Sequence, residues 1–530
     1  MGGDEMGICL NPGDDAFREA ADSQIYVDKT MLLTFTNQVL KTSDKYICVS
    51  RPRRFGKSMA ANMVSAYYDR TANAKDTFRD LLIAKDESFA KHSNQYDVIH
   101  INMQDFLSRA QDMDSLLQTL EKSILWEMLE EYPDYSYFDK TNLARTMADV
   151  YRHTKRAFVV VIDEWDCVFR EYGDRKEWQE KYLDFLRTWL KDKPYIGLAY
   201  MTGILPIKKY GTHSALNMFE EFSMTNAGPL ASYIGFTEQE VKNLCAEYQM
   251  DFEECKAWYD GYHFEEVGSI YNPRSVVQSM KFKKYDTYWN RTETFEALKI
   301  YIDMNYDGLR EAIIALMAGE PQKINTGNFV NDMTTFQDKD DVLTLLVHLG
   351  YLSFDFATST VSIPNQEILR EYANATRNGD WNEVASAISK SEMLLQATLN
   401  NDAEAVAKGI EEAHLETSHL QYNDENALSY TLSLAYYTAR QKYTMVREFP
   451  TGKGFADIVF LPRTKYRELP ALILELKWNA SVQTALQQIK AKNYPQALKD
   501  FAGKLLLVGI SYDKGTKEHS CVIEEHKKMG

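Results

Sequence analysis

The sequence lacks the features of a secreted, membrane-bound or zinc-stabilised protein. Its six cysteines are scattered and form no C-x-x-C pair, which argues against a zinc site or a disulfide framework and fits a reducing compartment. No run of 18 apolar residues occurs, and no basic amino-terminal stretch precedes an apolar one. We therefore expect neither a membrane-spanning helix nor a secretion signal, and we predict a cytoplasmic protein.

Glycine and proline are also scarce, at 25 and 13 of 530 residues, so long disordered tracts are not expected.

Basic residues are outnumbered by acidic ones over the whole chain, whose formal net charge is −17. Residues 440–514 are the exception, because 13 Lys or Arg against 6 Asp or Glu give this segment +7 and leave −24 for the remainder. A basic segment in an acidic protein indicates a phosphate-rich partner, which we expect to be DNA or RNA at the carboxy-terminal part.

The chain is too long for one hydrophobic core, and its patterns divide it into four predicted domains. The first alternates short apolar strands with amphipathic helices such as 114–132, which indicates an α/β parallel sheet covered on both faces. Ligands of such sheets bind at the carboxyl ends of the strands. The predicted strands are 45–50, 96–103, 157–164 and 195–203. The predicted domains are 1–235, 236–290, 291–400 and 401–530.

The two middle domains are predicted to be mainly helical. Residues 236–290 form a lid of short helices in this prediction, the first of them with a capping box of Thr237 and Glu240. In 291–400, a helix followed by a hairpin at 340–365 is typical of a winged-helix unit. The wing either contacts DNA or belongs to a packing module between domains. We favour packing, because the hairpin turn carries no basic residue and DNA binding needs positive charge.

The stretch SRPRRFGKS, residues 50–58, has the context of a phosphate-binding loop, since it follows a predicted strand and precedes a predicted helix. Gly56 would allow close approach of the backbone to a phosphate, Lys57 would reach the β- and γ-phosphates, and Ser58 would ligate Mg²⁺. However, Arg51 stands where the pattern has its first glycine. The alternative is a basic turn that only resembles such a loop.

An acidic pair after a later strand favours the nucleotide site. Asp163 would hold Mg²⁺, and Glu164 would orient or deprotonate the attacking water; the alternative is a surface pair that caps the next helix. Thr202 ends a further predicted strand, where it would sense the γ-phosphate unless it is a simple strand terminus. Arg53 and Arg54 either contact phosphate or form structural ion pairs.

Seven short motifs, in order along the chain, resemble those of the AAA-ATPase-like family found in many bacteria. That family carries RPRRFGK[ST] as its phosphate loop, so the arginine-rich form is the normal one there. The resemblance covers about residues 6–290 and implies a P-loop NTPase fold that binds ATP. The sequence departs from the pattern at Trp165, where tyrosine is usual, and at Arg274, where an aromatic residue is common. The motifs are YVDKT (26–30), SRPRRFGKS (50–58), VIDEWD (161–166), TGILPIKKYG (202–211), GFTEQE (235–240), WYDGYHF (258–264) and YNPRSV (271–276).

Two predicted strands near the carboxy terminus carry a second set of polar residues. Asp457 lies in the first strand, and Glu475 and Lys477 lie in the next. Residues two apart in a strand face the same side, and a hairpin would bring Asp457 beside them. Two carboxylates can hold Mg²⁺, while the lysine positions water or stabilises developing charge. The alternative is an exposed strand face with a chance E-x-K pattern.

Residues on the flanking predicted helices, 423–443 and 481–498, extend this set, and a further strand is predicted at 504–513. Glu425 is a candidate third metal ligand, and Gln488 would orient the attacking water or Lys477. The order of these residues resembles the PD-(D/E)XK nuclease superfamily over about residues 420–515. The resemblance implies a mixed α/β, restriction-endonuclease-like domain. The usual histidine of the first helix is absent, and Ser429 stands near its place.

The sequence thus predicts an ATP-binding and ATP-hydrolysing domain coupled to a Mg²⁺-dependent nuclease that acts on DNA or RNA. One alternative is a regulatory nucleotide switch that works through protein partners, with little nuclease turnover. Another is a scaffold whose two sites have decayed, which the intact lysines and carboxylates argue against. A homo-oligomer is left open, and no membrane partner is expected.

Overall fold

The computed structural model describes most of the chain. The described residues are 7–207, 216–289, 296–304, 306–317, 319–330, 333–376, 382–416, 432, 435–450, 455–463, 466–491, 503–516 and 518–526. They fold into two compact units, each assembled from several stretches of chain. The first unit contains Met1–Met250, Tyr259–Lys284 and Lys323–Pro364, and the second contains Asp251–Trp258, Tyr285–Gln322 and Asn365–Gly530. The division into four domains stays a prediction.

Both units contain helices and strands. The helices are Asp15–Ala21 (α1), Leu32–Val39 (α2), Lys57–Tyr68 (α3), Ala74–Thr77 (α4), Phe89–His92 (α5), Met103–Leu107 (α6), Met113–Glu131 (α7), Leu143–Thr154 (α8), Cys167–Glu171 (α9), Lys176–Leu190 (α10), Glu238–Glu247 (α11), Phe252–Tyr259 (α12), Pro273–Phe282 (α13), Glu296–Ile302 (α14), Leu309–Met317 (α15), Lys339–Leu349 (α16), Gln366–Thr376 (α17), Asn382–Leu399 (α18), Ala403–Glu416 (α19) and Val482–Ala491 (α20). Short 3-10 helices cover Leu82–Lys85, Gly228–Leu230 and Tyr437–Gln441.

The strands of the described residues belong to four sheets. They are Tyr46–Ser50 (β1), Asp97–Asn102 (β2), Phe158–Asp163 (β3), Ile196–Gly203 (β4), Glu220–Phe222 (β5), Phe236–Thr237 (β6), Tyr262–Phe264 (β7), Gly268–Tyr271 (β8), Gln322–Lys323 (β9), Ser353–Asp355 (β10), Thr360–Ser362 (β11), Tyr443–Pro450 (β12), Phe455–Pro462 (β13), Ala471–Trp478 (β14), Leu505–Asp513 (β15) and Glu518–His526 (β16).

The main sheet of the first unit is parallel, as the sequence predicts for an α/β protein. Its strand order is β2-β3-β4-β1-β5, and the four neighbouring pairs are all parallel. The strands β1, β3 and β4 are fully buried, which explains their nearly continuous apolar sequences. Because β1, β3 and β4 are neighbours, the residues that follow their carboxyl ends lie at one edge of the sheet.

The predicted lid region contains a small sheet that the sequence analysis missed. Its predicted helices are present as α11, α12 and α13, and Thr237 and Glu240 form the expected capping box. The WYDGYHF motif within the predicted lid is only partly helical, because α12 ends at Tyr259 and β7 begins at Tyr262. Strands β6, β8 and β7 form an antiparallel sheet. These strands are only two to four residues long, too short for a visible alternation of polar and apolar residues.

The helix and hairpin predicted at 340–365 are both present. They are α16 and the antiparallel strands β10 and β11, and Asp338 caps the helix by accepting from the backbone N–H groups of Asp340 and Asp341.

No helix among the described residues is long and apolar enough to cross a membrane.

The second unit contains a mixed sheet with the order β12-β13-β14-β15-β16. The central pair β14/β15 is parallel, whereas the three flanking pairs are antiparallel. Helix α20 connects the two parallel strands and packs against both. The sequence predicted β14, α20 and β15, treated β12 and β13 as a single strand, and missed β16. Most of the predicted helix 423–443 lies outside the described residues. The same holds for residues 492–498 of the predicted helix 481–498.

Candidate functional site

The loop between β1 and α3 leads through a glycine into the amino terminus of a helix. Gly56 precedes the first residue of α3 and has a φ of 93°, in the left-handed region that favours glycine. A Cβ at Gly56 would meet no atom within 4 Å, so the space in front of the helix terminus is open. Ser58, in the first turn of α3, is exposed. Free N–H groups at a helix amino terminus favour an anion here.

Arg51, at the position of the missing glycine, points away from this space and into the protein. It is fully buried, and its Nη1 donates to the carbonyl oxygens of Ser50 at 2.9 Å and Phe222 at 2.8 Å. Its guanidinium lies 4.9 Å from the ring centroid of Phe264 in β7. Burial lowers the pKa of Arg51 to about 10. Arg51 therefore fastens the loop to β5 and β7 and does not enter the open space in front of α3.

This placement predicts different effects for two neighbouring arginines. Arg51→Ala is expected to lower the free energy of unfolding by about 3 kcal/mol, because it leaves a buried carbonyl unsatisfied and opens a cavity beside Phe264. Arg53→Ala changes an exposed side chain, so its effect should stay within about 0.5 kcal/mol. Urea unfolding of both variants would measure the difference. Equal losses would contradict the structural role of Arg51.

Lys57 is buried and lies among carboxylates. Its Nζ donates to the carbonyl oxygen of Pro52 at 3.0 Å, and only 5% of the residue is exposed. Burial lowers the pKa of Lys57, while the negative charges of Glu164, Asp163 and Asp166 act in the opposite direction. The loop lysine and the acidic residues after β3 thus form one electrostatic cluster, although more than 100 residues separate them in sequence.

The acidic pair at the end of β3 has a defined geometry. Asp163 is 3% exposed, and its Oδ1 accepts from the Thr202 hydroxyl and, at 3.0 Å, from the backbone N–H of Glu164. Thr202, at the end of β4, is fully buried. The structure therefore places Thr202 as a direct partner of Asp163. Glu164 has a φ of 54°, a conformation that costs a non-glycine residue about 1–2 kcal/mol.

Two charged residues that the sequence analysis did not select complete this cluster. Arg170 forms ion pairs with Glu164 through Nη2 and with Asp166 through Nε, the latter at 3.2 Å. Burial opposes the charge of Arg170, but Asp166 and Glu164 together raise its pKa above the ordinary value. Burial likewise raises the pKa of Glu164, an effect that Arg170 and Lys57 counteract. Asp166 and Arg170 are one helical turn apart, and this spacing is the sequence pattern from which their ion pair could have been predicted.

The carboxy-terminal residues converge on one face of the mixed sheet. Ile458 pairs with Leu474, and one step further along this antiparallel register Asp457 lies opposite Glu475. Asp457 Oδ2 accepts from the backbone N–H of Leu476 at 2.7 Å. Lys477 Nζ lies 3.4 Å from Oε1 of Glu475. The structure thus brings together three side chains that the sequence analysis selected.

Helix α20 covers this face and supplies Gln488. The Gln488 amide donates to Oε1 of Glu475, and the Glu475 side chain is fully buried. Around them, apolar residues of the sheet and helix form one cluster that includes Val459, Ile473 and Ile489. Burial of a carboxylate between a lysine and an amide lowers the free energy of unfolding unless the carboxylate is fully paired. Such a group is otherwise kept for a function.

Gly509 sets how closely α20 approaches the sheet. It pairs with Glu475 across the parallel strands β14 and β15. A Cβ at this position would lie 3.0 Å from the carbonyl oxygen of Val482, 3.1 Å from Cβ of Ala485 and 3.2 Å from Cγ1 of Val522. The absence of a side chain therefore allows the close approach that puts Gln488 on Glu475.

We expect Gly509→Val to push α20 outward and to break the contact between Gln488 and Glu475. If Glu475 is part of a catalytic site, displacement by about 1 Å should reduce the reaction rate roughly 10- to 100-fold. The measurement is the rate of phosphodiester cleavage, with circular dichroism to verify that the fold is retained. A folded Gly509→Val protein of wild-type rate would show that the position of Gln488 is unimportant.

Both clusters offer the ligands that Mg²⁺ prefers, which are carboxylate and hydroxyl oxygens. Asp163 and Ser58 meet this requirement in the first unit, and Asp457 and Glu475 meet it in the second. Within the described parts of the chain, no group of three or more His, Cys, Asp or Glu residues is arranged to hold a metal. Glu425, the candidate third ligand, lies outside the described residues, as does Ser429.

Arg54, like Glu164, has a positive φ, at 68°. Arg53 and Arg54 lie between Arg51 and Gly56 in the sequence, and Arg53 is exposed. The backbone carbonyl of Arg53 accepts from Asn272 at 3.4 Å, a residue of the YNPRSV motif. Their contact with phosphate stays a prediction.

Comparison with known families finds two matches. The family described as "Predicted AAA-ATPase", an AAA-ATPase-like family, matches residues 13–212. The PD-(D/E)XK nuclease superfamily matches residues 425–521. The first match contains Lys57, Asp163 and Glu164, and the second contains Asp457 and Glu475. No curated protein matches the chain.

Two solved structures are similar to the chain at a low level. The "Replication initiator DnaA bound to AMPPCP and single-stranded DNA" is 10% identical, with a TM-score of 0.26 over 71% of this chain and 92% of that one. The Aeropyrum pernix ORC2 protein, in ADPNP-ADP complexes, is 13% identical, with a TM-score of 0.30 over 68% of this chain and 97% of that one. Similarity this low carries no argument about what the chain binds.

Proposed function

We propose that this chain, which carries an AAA-ATPase-like domain and a PD-(D/E)XK nuclease superfamily domain, binds and hydrolyses ATP and cleaves nucleic acid with Mg²⁺. The proposal rests on one kind of observation in both units. Residues that are distant in sequence, and that each reaction needs, lie together in the fold. The net positive charge of residues 440–514 supports DNA or RNA as the polymer.

In the first unit, the chain's own groups would bind the triphosphate and orient water. The backbone N–H groups that follow Gly56 and the Lys57 ammonium would donate to phosphate oxygens. Glu164 would accept a proton from the water that attacks the γ-phosphorus, while the bond to the bridging oxygen of ADP breaks. Thr202 would hold Asp163 in position, and Asp163 and Ser58 would hold the magnesium ion.

In the second unit, Asp457 and Glu475 would hold the metal ion beside the scissile phosphate. Lys477 would position the attacking water or stabilise charge on the phosphate. Gln488, through its hydrogen bond, would fix the orientation of the Glu475 carboxylate. When bound, magnesium supplies a Lewis acid that polarises the phosphodiester and lowers the pKa of a water molecule.

One experiment tests both activities in the full-length protein. The protein is treated with EDTA and assayed with labelled single- and double-stranded DNA and RNA, with and without added Mg²⁺. ATP hydrolysis is measured in the same samples. We expect at least one polymer to be cleaved after Mg²⁺ is added, and ATP to be hydrolysed only with Mg²⁺.

The outcomes separate the two halves of the proposal. Cleavage that is equal with EDTA and with Mg²⁺ would exclude a metal-dependent nuclease at this site. ATP binding without hydrolysis or cleavage would instead favour the regulatory nucleotide switch. Absence of ATP binding would exclude the phosphate loop as a nucleotide site.

A further inference from the structure

Glu164 occupies an unfavourable conformation, and two sets of contacts hold it there. Its backbone is left-handed, with its N–H bound to Asp163 at 3.0 Å. Its carboxylate is half-buried and pairs with Arg170, whose side chain is only 9% exposed. Residues with a strained backbone are common at functional sites, and each persists only where several surrounding contacts fix its position.

Arg170 is itself held by a second carboxylate. Asp166 is fully buried and lies 3.2 Å from Nε of Arg170. The Asp166 Oδ2 also accepts from the backbone N–H groups of Ile204 at 3.0 Å and Leu205 at 2.8 Å. The chain of contacts therefore runs from Glu164 through Arg170 and Asp166 to the backbone that follows β4.

We infer that Arg170 is a positioning residue of the nucleotide site, which fixes the Glu164 carboxylate by connecting it, through Asp166, to the end of β4. The inference rests on the proposed ATP hydrolysis, in which Glu164 orients the attacking water. Arg170 acts through Glu164, so nucleotide binding does not require it. Its guanidinium is anchored at two carboxylates, whereas Lys57 Nζ donates to the carbonyl oxygen of Pro52 at 3.0 Å.

The test measures ATP hydrolysis and nucleotide binding in the full-length protein. Arg170→Gln is expected to lower kcat roughly 10- to 100-fold, the range of a misplaced general base, with KM within about threefold of wild type. Arg170→Lys retains the charge and should recover part of the rate. The matched control is Arg187→Gln, because Arg187 forms an exposed ion pair with Asp184 at 2.8 Å on α10.

A double-mutant cycle with Glu164→Gln decides whether Arg170 acts through Glu164. The double variant is expected to hydrolyse ATP as slowly as Glu164→Gln alone, and the two melting-temperature shifts should be less than additive. A further loss of rate in the double variant would overturn the inference, as would a rise of KM at constant kcat.

The inference and the proposed function fail in different ways. If the wild-type protein hydrolyses ATP and a folded Arg170→Gln variant does so at the same rate, only the inference is overturned. A wild-type protein that binds ATP without hydrolysing it would overturn the proposed function. If Arg170→Gln does not fold, two other variants decide. A positioning role predicts a changed kcat for Arg170→Lys. It also predicts that Glu164→Gln keeps its fold, which thermal melting measures.

Discussion

Glu475→Gln is expected to abolish Mg²⁺-dependent cleavage while the protein stays folded. The substitution preserves the size of the side chain and the oxygen that accepts from Gln488, so the packing under α20 should survive. It removes one of the two charges that would hold the metal. We expect a loss of roughly 10³-fold, which corresponds to about 4 kcal/mol of transition-state stabilisation.

The measurement is the initial rate of cleavage across a range of Mg²⁺ concentrations. If the charge serves metal binding, part of the loss should be recovered at high Mg²⁺, whereas a general folding defect would not respond to the ion. Glu524→Gln is the matched control. Glu524 pairs with Lys490 at 2.7 Å on the exposed surface of the same domain, away from the buried carboxylate. Equal rates for the two variants would exclude Glu475 from the reaction.

Lys57→Met is expected to weaken ATP binding at least about 30-fold, or about 2 kcal/mol, because a charge-assisted hydrogen bond to phosphate is lost. Methionine preserves most of the buried apolar stem, so stability should change little. The measurement is the dissociation constant of a fluorescent ATP analogue that is not hydrolysed, together with the ATPase rate.

Lys45→Met provides a control of the same chemistry. Lys45 Nζ also donates to a backbone carbonyl, that of Ile196 at 3.0 Å. However, Lys45 precedes β1 whereas Lys57 follows it, so the length of the strand, roughly 17 Å for five residues, separates the two side chains. Wild-type affinity in Lys57→Met, or an equal loss in Lys45→Met, would exclude the loop as the nucleotide site.

The sequence predicted the parts of the structure that local patterns determine. The strands β1 to β4 are apolar runs, and Thr237 with Glu240 is a capping pattern that spans three residues. Asp457 and Glu475 could be placed together because strand alternation fixes which face each occupies. In each case the physical cause lies within one element or one pair of neighbouring strands.

The rest depends on contacts between distant segments. Nothing local to Arg51 shows that its guanidinium packs on Phe264, and the loop sequence shows only that Arg51 replaces the first glycine of the usual pattern. Arg170 is one of many arginines in helices until Glu164 and Asp166 are seen beside it. Likewise, Gly509 looks like an ordinary strand glycine before α20 is placed above it. The small sheet of β6, β7 and β8 was missed because its strands are too short to show a period.

The register between β13 and β14 has a consequence for insertions and deletions. The connection between these strands can change in length at little cost, because loop closure depends only weakly on the number of residues. A single residue added within β14 ahead of Glu475 would instead turn every later side chain to the opposite face. Glu475 and Lys477 would then enter the apolar layer around Leu474 and Leu476. Length variation among related chains should therefore be confined to the turn, and the strands around the carboxylates should keep a constant length.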